Sequence, residues 1–140
     1  MFKRILVPVD LTQRHQKAID FASELARQAG GEIVLLHVIE VIAGMSVDED
    51  KAFYARLEKK AQGNLERLSA SLQQSKVPFR AEVVYGNRGP EIIRYAGESA
   101  IDLIVLTRPR LEPSNLATGL GSLSHKLSIF AECPVLLVRA

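Results

Sequence analysis

Met1-Phe2-Lys3-Arg4-Ile5-Leu6-Val7-Pro8-Val9-Asp10 opens the chain, and how these residues are read decides the fold. Two basic residues lead straight into an apolar run that a proline and a lone carboxylate interrupt. A short run of this kind predicts a strand buried on both faces of a parallel sheet. Pro8 has no amide hydrogen to give a ladder, so it belongs at the strand's end. Asp10 then lies just past the carboxyl edge of an inner strand, where open α/β sheets hold their ligands.

Working outward, apolar strands alternate with helical periodicities. Ala18, Phe21, Ala22, Leu25 and Ala29 fall at helical spacing, with Thr12 the expected N-cap and Gly30-Gly31 the stop. Glu32 to Ile39 is a second apolar strand, and Val41 to Asp50 a loop. A helix from about Lys51 carries Leu57, Ala61, Leu65, Leu68 and Leu72 on one face. From Phe79 to Tyr85 apolar and polar residues alternate, the pattern of a strand at a sheet edge. Pro90 suits the first position of a short third helix with Ile92, Ile93 and Ala96 inward. Asp102 to Leu106 is a fourth strand, Thr107 to Thr118 a polar loop with prolines, and Leu120, Leu123, Leu127 and Phe130 a last helix. Pro134 to Arg139 is the fifth strand.

Helical crossovers force parallel pairing in a right-handed sense. With the alternating third strand at one edge, the expected fold is an α/β sandwich of three layers. Its open sheet has five parallel strands in the order 3-2-1-4-5, with helices on both faces. The chain reverses direction between strands one and four, so the ligand crevice is expected between Asp10 and the loop that begins at Thr107.

Composition narrows the function classes. The 140 residues are 47% hydrophobic and 24% charged, without tryptophan, as in an ordinary globular domain, and residues 1–140 are expected to form one. The formal charge is +2 and the basic residues are scattered, which argues against nucleic acid or an anionic membrane as partner. The apolar run before Asp10 is too short for a secretory signal, and no window approaches a membrane span. A single cysteine, Cys133, excludes an internal disulfide and fits a reducing cytoplasm. His15, His37 and His125 lack metal-ligand spacing; His37, inside an apolar strand, reads as a satisfied core residue, and Cys133 as a small packing residue.

Several segments, taken in order, give a family resemblance over nearly the whole chain. They are Ile5 to Asp10, Leu35-Leu36-His37-Val38-Ile39, Gly86-Asn87-Arg88-Gly89-Pro90-Glu91-Ile92-Ile93 and Asp102 to Leu106. Gly121-Ser122-Leu123-Ser124-His125-Lys126-Leu127 and Cys133-Pro134-Val135-Leu136-Leu137-Val138 complete the set. The chain resembles the universal stress protein (UspA) family. That resemblance implies a fold like that of the adenine nucleotide alpha hydrolases, a homodimer, and membership of a family divided between ATP binders and proteins that do not bind ATP.

The loop after strand four separates those halves. ATP-binding members carry G-x2-G-x9-G-[ST] there, because bare backbone and helix N-terminal amides grip phosphate. Here Thr107 stands in the first glycine place and Arg110 in the second, and the Gly121-Ser122 pair falls one residue late. Sliding the frame by one puts Arg108 and Leu111 in the glycine places instead. Pro109 and Pro113 stiffen the segment. Arg108 and Arg110 read as solvated loop charges or as guanidinium partners for a phosphate.

The resemblance implies that Pro8, Val9, Asp10 and Val38 surround the adenosine side. Thr107, Arg110, Gly121, Ser122, Leu123 and Ser124 form the phosphate side. For Asp10 the alternative is a cap on the first helix, for Val38 a core position, and for Gly121, Ser122 and Ser124 ordinary helix capping. The expected function is a non-catalytic stress-response domain with a degenerate nucleotide pocket. The alternative is a module binding ATP, ADP or AMP. Ser122 and Ser124 lack the G-x-S-x-G elbow of a hydrolase, and Asp10 lacks the acidic neighbours of a phospho-acceptor. Val135-Leu136-Leu137-Val138, an apolar edge, is expected to pair with a second copy of itself.

Overall fold

The computed structural model describes residues 1–108 and 122–140. In chain order the elements are β1 (Arg4–Val9), α1 (Gln16–Ala29), β2 (Glu32–Glu40), α2 (Lys51–Ser75), β3 (Phe79–Gly86), α3 (Arg88–Glu98), β4 (Leu103–Arg108), α4 (Leu123–Phe130) and β5 (Val135–Arg139). The five strands form one parallel sheet in the order β3-β2-β1-β4-β5. Arg4 is paired with Glu32 at one end of β1 and Val9 with His37 at the other. Both the strand order and the edge position of β3 are as the sequence pattern predicts.

Alternation along the strands sends side chains into two cores. Ile5, Val7, Ile33 and Leu35 pack with α1 and α2 on one face, around Ile19, Ala22, Leu65 and Leu68. Leu6, Leu36, Val38, Ile104 and Leu106 pack on the other face with Ile92, Ala96 and Leu127 from α3 and α4. Central strands β1 and β4 are apolar on both faces because both are covered.

Polar groups fix the amino end of β1. The Asp102 carboxylate accepts hydrogen bonds from the Lys3 amide at 2.8 Å and the Arg4 amide at 3.1 Å. Arg4 donates to Glu32 at 2.7 Å and to the Ser99 carbonyl at 2.7 Å, tying the strand to both neighbouring connections. Gly30 closes α1 in the left-handed conformation, with φ 67°.

The structure corrects five details of the sequence reading, the first being that the fourth strand continues through Thr107 and Arg108, which the sequence pattern assigns to the following loop. Thr12 is not the N-cap of α1: the helix starts at Gln16 after His15, and Thr12 is held in a turn on Asp10. The buried stripe of α1 is Ala18, Ile19, Ala22 and Ala26, leaving Phe21 half exposed. Phe130 is exposed at the end of α4, whereas Leu127 is buried. Pro90 is the third helical residue of α3, still within the first turn, where no intrahelical partner is lost. Leu120 lies outside the described residues.

The connection 41–50 is pinned onto α2. The buried Tyr54 hydroxyl accepts from the Ile42 amide at 3.0 Å and donates to the Met45 carbonyl at 2.6 Å. Its ring meets Phe53 and Tyr85 edge to face. Tyr54→Phe should keep the ring packing yet strand two backbone groups. The expected loss is about 1–2 kcal/mol by denaturant unfolding, with faster amide exchange at Ile42.

Candidate functional site

At the carboxyl ends of β1 and β4, where the strand order reverses, the sheet opens into a crevice of about 220 Å³. Pro8, Leu36, Val38 and Leu106 give it apolar walls. Asp10, Arg14, His15, Arg88, Thr107, Ser122 and Ser124 supply polar groups. The volume lies below the roughly 300–1,000 Å³ of drug-sized ligand sites, which points to a small ligand.

One hydrogen-bonded chain crosses this crevice. His15 Nε2 lies 2.7 Å from Asp10 Oδ1, and His15 Nδ1 lies 2.9 Å from Thr107 Oγ1. A carboxylate only accepts, so the Asp10 Oδ1 contact calls for a hydrogen on Nε2, whereas the Asp10 amide donates to the same nitrogen at 3.1 Å. The direction of the Nδ1–Thr107 bond follows the tautomer. Asp10 Oδ1 also accepts from the Thr12 amide at 2.9 Å and the Thr12 hydroxyl at 2.5 Å, and Arg14 approaches Oδ2 at 3.4 Å. His15 and Thr107 are only 4% and 7% exposed, so the chain is sheltered from water. The backbone of Asp10 is fixed too: Asn64 of α2 donates to its carbonyl at 2.7 Å.

Partial burial pushes the Asp10 carboxyl up, but the hydrogen bonds from His15 and Thr12 outweigh it. They hold the group far below the ordinary carboxylate range. A depressed folded-state pKa contributes stability that is complete above the unfolded value near ~4 and fades as pH falls toward the folded one. Wild type should therefore lose stability by up to about 1.4 kcal/mol per pH unit from this group alone below pH ~4. Asp10→Asn lacks that contribution. Its deficit against wild type should be largest above pH 5 and shrink toward pH 2 in urea unfolding curves. A constant gap would show that the carboxylate is not the group responsible.

The far wall belongs to α4. Its N-cap Ser122 is extended, and the side chain accepts from the His125 amide at 3.3 Å. Ser122, Leu123 and Ser124 thus bring the amino-terminal turn of α4, the positive end of its helix dipole, to the crevice wall. Arg88, at the start of α3, lines this crevice and a neighbouring groove that also touches Asp10 and His37. Among the described residues Arg88 has no hydrogen bond or ion pair.

His37 is buried as expected, but it is not a satisfied core histidine. Its Nδ1 has no hydrogen-bond partner among the described residues. Burial first, then the Arg88 charge, hold the ring below the ordinary imidazole value, so it stays neutral. Burial also raises the Cys133 thiol, in keeping with a packing residue.

Of the residues singled out from sequence, Pro8, Val9, Asp10, Val38, Thr107, Ser122, Leu123 and Ser124 come together around the crevice. Arg110 and Gly121, with Pro109, Leu111 and Pro113, lie outside the described residues. Arg14, His15 and Arg88 are crevice residues that sequence reasoning missed. None of residues 41–50 lines the crevice, although Ile42 borders the neighbouring groove. Among the described residues no three His, Cys, Asp or Glu side chains gather as a metal site, and no helix is long and apolar enough to cross a membrane.

Comparison with known proteins agrees with this architecture. The model of the universal stress protein family matches residues 1–139. Universal stress protein YxiE of Bacillus subtilis is 33% identical over 149 residues, covering 99% of this chain and all of that protein. The solved universal stress protein UspA from Lactobacillus plantarum superposes with a TM-score of 0.79 at 25% identity, covering 99% of this chain and 98% of its own. A universal stress protein family member from Arabidopsis thaliana, solved with AMP bound, superposes at 0.73 and 19% identity. That match covers 98% of this chain and 91% of its own. With the whole chain matched, a 3-2-1-4-5 sheet and a crevice at its switch point, this protein belongs to the universal stress protein family.

Proposed function

We propose that the protein is a non-catalytic, cytoplasmic regulator of stress response. In this reading residues 1–140 act as a single unit, as a homodimer, and the switch-point crevice is a nucleotide pocket reduced from the ATP-binding form. The observation that carries this reading is the state of Asp10. Its carboxylate is already met by Thr12, His15 and Arg14, and Thr107 adds a branched side chain where polyphosphate would need bare backbone. Among the described residues Asp10 is the one acid lining the crevice, so they offer a divalent cation carried with ATP a single carboxylate.

A second reading has its own support. The apolar walls, the helix start at Ser122 and two arginines are what an adenine nucleotide with few phosphates requires. The AMP-bound Arabidopsis relative shares the fold. AMP, and less readily ADP, would then bind against Pro8, Val9 and Val38 with its phosphate toward Arg88 and Ser122.

Heat release of bound nucleotide followed by chromatography, together with a phosphate-release assay on added ATP, tests the first reading. Purified protein should yield no stoichiometric ATP, and its phosphate release should equal that of a heat-killed control. A full complement of ATP, or sustained turnover, would overturn it.

A further inference from the structure

We propose that the His15–Thr107 hydrogen bond sets how many phosphates the crevice accepts, making it a site for adenosine or adenosine monophosphate and closing it to di- and triphosphates. The proposal rests on the adenine-nucleotide reading of the same crevice and names the ligand class that reading leaves open.

Three observations converge on it. The bond joins the start of α1 to the end of β4 at 2.9 Å, so the Asp10–His15–Thr107 chain bridges the two sides of the switch point. Both side chains are more than nine-tenths buried, and Thr107 is also held in register with Val138 of β5. A phosphate chain running from Asp10 toward Ser122 along the end of β4 must displace the Thr107 hydroxyl or the imidazole. Either move leaves a buried polar group without its partner, a penalty that falls on the longer ligand and spares the shorter one.

Charge points the same way. Among the described residues that line the crevice, Asp10 is the acid and Arg14 and Arg88 are the cations. Arg14 already leans on Asp10, so among the described lining residues Arg88 remains as the guanidinium for ligand, enough for a single phosphate. Each further phosphate adds negative charge to a space of about 220 Å³ that already holds the Asp10 carboxylate. At α4, Ser122 spends its side chain on the His125 amide, which reduces what the helix start can offer to a polyphosphate.

The test is calorimetric titration of the whole protein with adenosine, AMP, ADP and ATP, with thermal melts to verify folding of each variant. Wild type should bind AMP at least about tenfold more tightly than ATP. Thr107→Gly and His15→Ala should each bring the two affinities to within about threefold by strengthening ATP, while Thr107→Ser, which keeps the hydroxyl, should retain the wild-type ratio. If Thr107→Gly fails to fold, His15→Ala and Thr107→Ser decide the matter. ATP binding to wild type as tightly as AMP, or an unchanged ratio in both variants, would overturn the proposal. If wild type takes none of the four while Thr107→Gly takes ATP, the crevice is not a monophosphate site and the proposal is overturned. If neither wild type nor variants bind any of the four, the adenine reading fails and the proposal with it.

Discussion

Gly31→Ala should lower stability by about 3 kcal/mol, and the melting temperature by roughly 10 °C. Gly31 sits where the end of α1 turns into β2 and passes directly over the start of β1. A methyl group there would stand 2.6 Å from the Lys3 carbonyl oxygen, 2.8 Å from Lys3 Cα and 2.8 Å from the Phe2 carbonyl oxygen. All three neighbours are backbone, so no side chain can swing aside. The same approach lets the Glu32 amide donate to Lys3 O at 2.8 Å, starting the β1–β2 ladder. Relieving the clash therefore pulls apart the first pair of the sheet's central strands. Gly63, exposed on α2 with nothing within 4 Å of an added Cβ, is the control. Gly63→Ala should stabilise by about 0.5–1 kcal/mol through helix propensity. If both variants melt with wild type, the close approach at Lys3 is wrong.

Leu137→Asp should convert the proposed dimer to monomer, raising its dissociation constant by roughly a hundredfold or more. β5 is an edge strand only five residues long, paired on one side with β4. Leu136 and Leu137 are exposed on it, and Ile129 and Phe130 are exposed at the end of the α4 helix that leads into it. An uncovered edge of this kind invites strand addition, and a two-fold axis lets the same surface serve both copies. A carboxylate placed there would be buried opposite its own symmetry mate, an unpaired charge out of water. Sedimentation equilibrium at micromolar concentration distinguishes the outcomes. A dimer that survives Leu137→Asp would move the interface elsewhere, with the Leu11, Val41 and Ile42 surface the next to examine.

Much of this molecule was legible in its sequence because the relevant signals are local. Apolar runs marked β1, β2 and β4, and alternation placed β3 at the edge. Chirality and crossover rules then fixed which strand ends meet, which is why Asp10, Val38 and Thr107 could be placed on one crevice without coordinates. His15 was not legible in that way. Its meaning depends on Thr107, ninety-two positions away, and on a turn in which Asp10 captures Thr12 and hands the helix start to His15. Arg88 was hidden for a related reason: it stands in a glycine- and proline-bearing turn that reads as punctuation, and only the parallel order brings that turn to the crevice. The orphaned Nδ1 of His37 could not be inferred, because an apolar strand pattern records burial and not whether a ring nitrogen finds a partner.

Electron density from crystals soaked separately with AMP and with ATP tests the reduced-pocket account most directly. The account predicts adenosine seated between Pro8 and Val38, one phosphate near Arg88 and Ser122, the His15–Thr107 bond intact, and no ordered β- or γ-phosphate in the ATP soak. An ordered triphosphate lying along Thr107, with His15 swung away from it, would contradict the account.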